Sequence, residues 1–208
     1  MKVVLYGASG MIGIRILQEL VSRGHEVTAV VRNPEKVKVP GVSVVKGDVT
    51  DAASIAATAQ GAEAAISAYA PPHAEPDMLL TASRSLLEGL STAGVKRVLV
   101  VGGAGSLEVA PGVQLVDTPQ FPEEWKGIAL AHRNVLPLLR ESGLDWSYLS
   151  PAAFIQPGVR TGKFRLGSKQ LLTDEKGESR ISAEDYAIAL VDELEDPKHL
   201  RQQFTLAY

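Results

Sequence analysis

Gly7-Ala8-Ser9-Gly10-Met11-Ile12-Gly13 is the stretch whose reading decides the fold. Just before it, Lys2-Val3-Val4-Leu5-Tyr6 is a short apolar run that reads as a buried strand. Just after it, Ile12, Ile16, Leu17, Leu20 and Val21 recur at helical spacing until Gly24 supplies a stop. Strand, glycine turn and helix in that order make a compact cradle. Gly7 allows the tight turn, Gly10 lets another group approach the backbone, and Gly13 lets the helix pack closely. The unpaired N–H groups that begin a helix attract anions, so a pyrophosphate is the natural occupant. A dinucleotide held by Gly7, Ala8, Ser9, Gly10, Met11, Ile12 and Gly13 is the first expectation. The alternative is a glycine-rich turn without a ligand.

Working outward, short apolar runs alternate with helical periods. Strands are expected at 26–31, 42–45, 64–67, 97–101 and 146–149, with helices at about 77–93 and 124–142. A short helix should begin near Thr50-Asp51, either of which can cap it. Apolar strands joined by crossover helices imply a parallel sheet covered on both faces, a doubly wound α/β (Rossmann) fold. After Ser150-Pro151 the pattern changes. Residues 164–166 and 169–172, around Gly167-Ser168, read as a hairpin; Ser182 caps a last helix, and 204–207 forms a closing strand. The expected organisation is one domain over 1–208, with about 151–180 forming a lid or small C-terminal substrate lobe. The long polar stretch 105–125 is expected to share in that lid.

The end of the second strand bears on which dinucleotide binds. An Asp or Glu there holds the ribose 2′-hydroxyl of NAD, but this strand runs into Val31-Arg32-Asn33-Pro34. A guanidinium pairs with a 2′-phosphate, so Arg32 favours NADP(H) while leaving NAD(H) possible. A solvated surface arginine is the alternative. Asp48 and Val49 follow the third strand and are placed to meet the adenine edge, unless Asp48 is simply a helix cap. Ala68 and its neighbour Tyr69, after the fourth strand, are expected beside the nicotinamide-side ribose. Gly102 and Gly103, after the fifth, complete the cofactor contacts.

Bulk properties exclude several classes. A net charge of -3 offers no basic face for nucleic acid. The absence of cysteine removes disulfides, zinc-thiolate sites and thiol catalysis, and the scattered histidines lack metal-ligand spacing. No segment reaches the roughly 20 apolar residues of a membrane helix. The expectation is a cytoplasmic protein acting on a small molecule, with its oligomeric state open.

With these residues in hand, the chain resembles the atypical short-chain dehydrogenase/reductase superfamily, and within it the NmrA-like, NADH-flavin-reductase-like NAD(P)-binding group. The glycine turn and Val31-Arg32-Asn33-Pro34 carry the resemblance, as do Gly47-Asp48-Val49-Thr50-Asp51 and Val101-Gly102-Gly103-Ala104-Gly105-Ser106-Leu107. So do Leu149-Ser150-Pro151-Ala152, Gly158-x-Arg160-Thr161-Gly162 and Ile181-Ser182-Ala183-Glu184-Asp185-Tyr186-Ala187. One departure matters. The superfamily's usual proton donor is a Tyr-x-x-x-Lys on the helix after the fifth strand, and here that helix reads Glu124-Trp125-Lys126-Gly127-Ile128-Ala129-Leu130-Ala131-His132. A developing alkoxide needs a positioned acid. A flavin or quinone accepts hydride into a delocalised ring and does not. The resemblance thus implies an NAD(P)H-dependent oxidoreductase acting on a planar acceptor. The alternatives are a non-catalytic NADP(H) sensor and, behind it, an epimerase-like or dehydratase-like protein. Candidate catalytic groups are Ser106 as donor to a substrate oxygen, Lys126 toward the ribose or a substrate anion, and His132 as proton donor. Tyr69 and Phe154 are candidate stacking walls for the acceptor. For each there is a plainer reading: turn-forming serine, solvated lysine, packed histidine and core aromatics.

Overall fold

The computed structural model describes residues 1–208. Its first unit is β1 (Lys2–Tyr6), α1 (Met11–Ser22) and β2 (Glu26–Val31), followed by β3 (Ser43–Lys46). Next come α2 (Ala52–Thr58), β4 (Ala64–Ser67), α3 (Met78–Ala93) and β5 (Arg97–Val101). Asp51 caps α2 by accepting from the Ala53 amide, as its place before an apolar run predicts. After β5 a small hairpin, β6 (Glu108–Ala110) and β7 (Val113–Gln114), precedes α4 (Glu123–Glu141) and β8 (Asp145–Ser150). The last part holds β9 (Phe154–Gln156), β10 (Arg165–Gly167), β11 (Arg180–Ser182), α5 (Ala183–Glu195) and β12 (Gln202–Ala207).

Eight strands form one sheet in the order β10-β12-β8-β5-β4-β1-β2-β3, and only β10 runs antiparallel to its neighbour. Alternate residues of the central strands serve opposite faces. Leu5, Ile66, Leu99 and Leu149 face the layer made by α1 and α5, whereas Val4, Ala65, Val98 and Tyr148 face α2, α3 and α4. A chain buried on both faces needs near-continuous apolar strands, and the sequence supplies them. This is the doubly wound Rossmann arrangement. The strand order reverses between β1 and β4, and the crevice beyond their carboxyl ends is where such sheets bind ligands.

Two expectations change. Residues 164–172 do not form a hairpin. β10 pairs with β12 instead, while Lys169 and Leu171 exchange backbone hydrogen bonds with Glu108. An adjacent open sheet edge offers more partners than a two-stranded ribbon, which is marginal by itself. The stretch 105–125 is also more regular than its composition suggests, since it contains the β6–β7 hairpin and short 3-10 turns.

Candidate functional site

The glycine turn lies at the reversal point. Gly7 has φ +80, and a Cβ there would stand 2.5 Å from the Ala68 carbonyl oxygen, so both backbone shape and space require glycine. A Cβ on Gly13 would collide with the Gly7 carbonyl oxygen, which is how close α1 comes to the turn. Gly10 differs. Its φ of -76 suits any residue, and its Cβ would meet only the Gly7 carbonyl oxygen, at 3.4 Å. The fold does not need glycine here, but a ligand approaching the backbone does. Gly10 also begins α1 without a side-chain cap, so the first amides of the helix are left for an outside acceptor. Ser9 and Gly10 are exposed, Ala8 is buried in the core and Ile12 packs against it. Ala8 is thus closed off from the surface, whereas Ile12 remains partly exposed.

A groove of about 200 Å³ leads from this turn along the strand ends. Gly7, Ser9, Gly10, Arg32, Asp48, Val49, Ala68 and Tyr69 line it, joined by Thr50 and Met78. The Asp48 carboxylate accepts from the Thr50 amide at 2.9 Å and the Thr50 hydroxyl at 2.7 Å, which holds its pKa below the usual range. Arg32, by contrast, is exposed and has neither an ion pair nor a hydrogen bond within the chain. A free cation at one end and uncapped helix amides at the other suit an elongated, doubly anionic ligand. The residues fit a dinucleotide: α1 would take the pyrophosphate, and Arg32, Asp48 and Val49 would face the adenosine.

Tyr69 lies elsewhere than expected. Its hydroxyl is in the electrostatic neighbourhood of Arg32, Asp48 and Glu75, and its ring packs on the side of the sheet covered by α2 and α3. It lines the same groove as Arg32 and Asp48. Gly102 and Gly103 have internal explanations. A Cβ on Gly102 would enter the Tyr148 ring, and one on Gly103 would stand 2.9 Å from the His132 Cβ. Their missing side chains make room for core residues.

The three candidate catalytic groups are not brought together. Ser106 is buried, and its Oγ accepts from Gln203 Nε2 at 2.8 Å, while the same amide donates to Ser150 Oγ at 3.0 Å. This network ties the turn after β5 to β12. Lys126 is partly exposed and sits 3.6 Å from Glu123, an ordinary surface pair on α4. His132 rests against Gly103, and the Tyr148 hydroxyl donates to its carbonyl at 2.9 Å. Its Nδ1 is buried without a partner, and desolvation lowers the ring pKa to about 4. The imidazole is neutral at pH 7, so it offers no imidazolium acid. Phe154 is 64% exposed with the Arg180 guanidinium 5.5 Å from its ring centroid, and it opens on a second groove with Val159 and Tyr208.

Reading the sequence missed what anchors the segment beside that second groove. Asp185, fully buried, accepts from the Thr161 amide at 2.8 Å, the Thr161 hydroxyl, the Gly162 amide at 2.8 Å and the Tyr208 hydroxyl at 2.8 Å. Glu184 accepts from the Gly158 amide at 2.7 Å and from Arg15 at 3.0 Å. Arg160 reaches Glu19 on α1 at 2.9 Å. The run Gly158-x-Arg160-Thr161-Gly162 and the run Ser182-Ala183-Glu184-Asp185 are thus the two halves of one clasp. Both were visible as sequence signals, but nothing local pairs them.

A family model described as NAD(P)H-binding matches residues 7–197. A solved structure of a candidate exported protein from Burkholderia pseudomallei is 50% identical, with a TM-score of 0.92 and full coverage of both chains (100% and 100%). A candidate epimerase from Bacteroides thetaiotaomicron is 44% identical at a TM-score of 0.93, covering 100% of this chain and 96% of that one. A candidate NADH-flavin reductase from Streptococcus pneumoniae is 38% identical at a TM-score of 0.90, covering 100% and 99%.

Proposed function

The chain belongs to the NAD(P)H-binding family, in its NmrA-like, atypical short-chain dehydrogenase/reductase branch, and from that premise we propose that it is an NADPH-dependent reductase passing hydride to a planar acceptor such as a flavin or quinone. The observation that carries this reading is the groove itself. An uncapped α1 with a ligand-facing Gly10 stands at one end, and the unpaired Arg32 stands where an NAD site would place an acid.

A bound nicotinamide supplies the hydride, and the protein supplies orientation. The helix start and Gly10 would hold the pyrophosphate, and Arg32 would pair with the 2′-phosphate. The ends of β4, β5 and β8 would border the nicotinamide and the acceptor. None of the three candidate groups is a poised acid: His132 is neutral, Lys126 pairs with Glu123 at the surface and Ser106 is engaged with Gln203. An acceptor that needs no protonation at the moment of transfer fits such a site. The reductase of the Streptococcus pneumoniae relative supports the same class. Phe154, exposed at the start of β9, and the segment 151–180 around it are the proposed acceptor wall and lid.

The same lack of an acid favours a second reading, a protein that binds NADP(H) without turning it over. One experiment separates the two. Purified protein is mixed with NADPH or NADH and a panel of flavins, quinones and redox dyes, and loss of reduced-nicotinamide absorbance is followed. Turnover with at least one acceptor, faster with NADPH, is expected; tight binding without turnover on every acceptor would establish the sensor reading instead.

A further inference from the structure

The chain has five tyrosines, and four have hydrogen-bonded hydroxyls. Tyr6 OH approaches the Ile55 carbonyl and Thr58, Tyr148 OH donates to the His132 carbonyl, Tyr186 OH donates to the Leu149 carbonyl, and Tyr208 OH donates to Asp185. Tyr69 alone has no partner within the chain. Its ring packs, half-buried, against the core cluster that also packs Val45 and Val49. Tyr69 lines the groove in which Arg32 is likewise without a partner in the chain. Two unspent donors therefore converge on the adenosine end, one cationic and one neutral.

We propose that Tyr69 is a second reader of the adenosine 2′ position, its hydroxyl donating to a 2′-phosphate that Arg32 grips. The inference rests on the NADP(H) reading above and adds a residue to it. Asp48 and Glu75 lie within electrostatic range of the same hydroxyl, and burial raises its pKa, so the phenol keeps its proton and remains a donor at neutral pH. A guanidinium supplies charge and planar fit, whereas a phenol adds direction. A ribose with only a 2′-hydroxyl would forgo the phosphate oxygens that both are placed to reach.

The test uses adenosine fragments, so it does not depend on turnover. Affinities of 2′,5′-ADP and 5′-ADP are measured by titration calorimetry for the unaltered protein and for Tyr69→Phe, which keeps the ring and its packing. Tyr69→Phe should weaken 2′,5′-ADP about tenfold, the size of one hydrogen bond to a charged group, and leave 5′-ADP within about twofold. Equal weakening of both fragments, or of neither, overturns the role of Tyr69. A different failure marks the underlying reading: if the unaltered protein does not prefer 2′,5′-ADP, neither Arg32 nor Tyr69 reads a phosphate.

Discussion

At the scale of the residue, the glycine turn separates what the fold needs from what a ligand needs. Gly13→Ala drives a methyl into the Gly7 carbonyl, so α1 must shift; a stability loss of about 2 kcal/mol is expected on chemical denaturation. Gly10→Ala meets no such obstacle and should leave stability within about 0.5 kcal/mol while weakening NADPH binding. Equal effects of the two changes on stability would show that Gly10 is structural after all. Arg32→Glu should lower NADPH affinity by about tenfold to a hundredfold and leave NADH affinity nearly unchanged, measured by fluorescence titration. His132 carries a separate prediction. Its pKa is lowered in the folded state, so the unfolded chain binds the proton more readily. Its contribution to stability is complete above about pH 6.5 and is lost as the pH falls toward 4, by up to about 3 kcal/mol. A histidine ring resonance titrating near 6.5 in His132, followed by NMR, would show that the ring is solvated instead.

At the scale of the element, Asp185 joins the segment after β9 to the start of α5. Burial by itself would raise its pKa; the hydrogen bonds from Thr161, Gly162 and Tyr208 outweigh that and hold the carboxyl below the usual range. Asp185→Ala leaves those donors without an acceptor and should cost about 3 kcal/mol, a fall in melting temperature of about 6–12 °C. A loss under about 0.5 kcal/mol would mean that the clasp does not hold the segment. The clasp also shows where reading a sequence stops. The alternation of β1 to β5 with α1 to α4 was legible because each element has its own period, and Asp51 and Ser182 were legible as caps because capping is local. Asp185 and Thr161 are linked only through the fold, 24 residues apart. The failed hairpin has the same cause: Gly167 is a fair turn signal, but β10 pairs with β12, a strand distant in sequence, and no local pattern announces that pairing. Tyr69 was legible at a strand end, but which face it takes was not, since a residue after a strand can turn toward either face of the sheet. Gly102 and Gly103 have a packing reason that the sequence did not announce, the space beside them being filled by Tyr148 and His132.

At the scale of the whole molecule, the groove lies where the two halves of the doubly wound sheet diverge, with β2 and β3 on one side and β4, β5 and β8 on the other. A ligand running from Arg32, just after β2, past Gly10, to the end of β4 would contact both halves, so it would bind the folded chain and have little hold on the unfolded one. Binding of that kind stabilises by mass action, about 2.7 kcal/mol when the free ligand is at 100 times its Kd. For a chain of 208 residues that is a rise in melting temperature of about 5–11 °C. Because Arg32 is a free cation on a protein of net charge -3, the attraction to the extra phosphate is local rather than a property of the whole surface. At equal low-millimolar concentrations NADPH should therefore raise the melting temperature more than NADH. The difference should disappear in Arg32→Glu and shrink, without disappearing, in Tyr69→Phe. If both nucleotides raise the temperature equally in all three proteins, the groove binds a dinucleotide but does not read its 2′ position, and the preference assigned to Arg32 is lost while the role of the glycine turn stands.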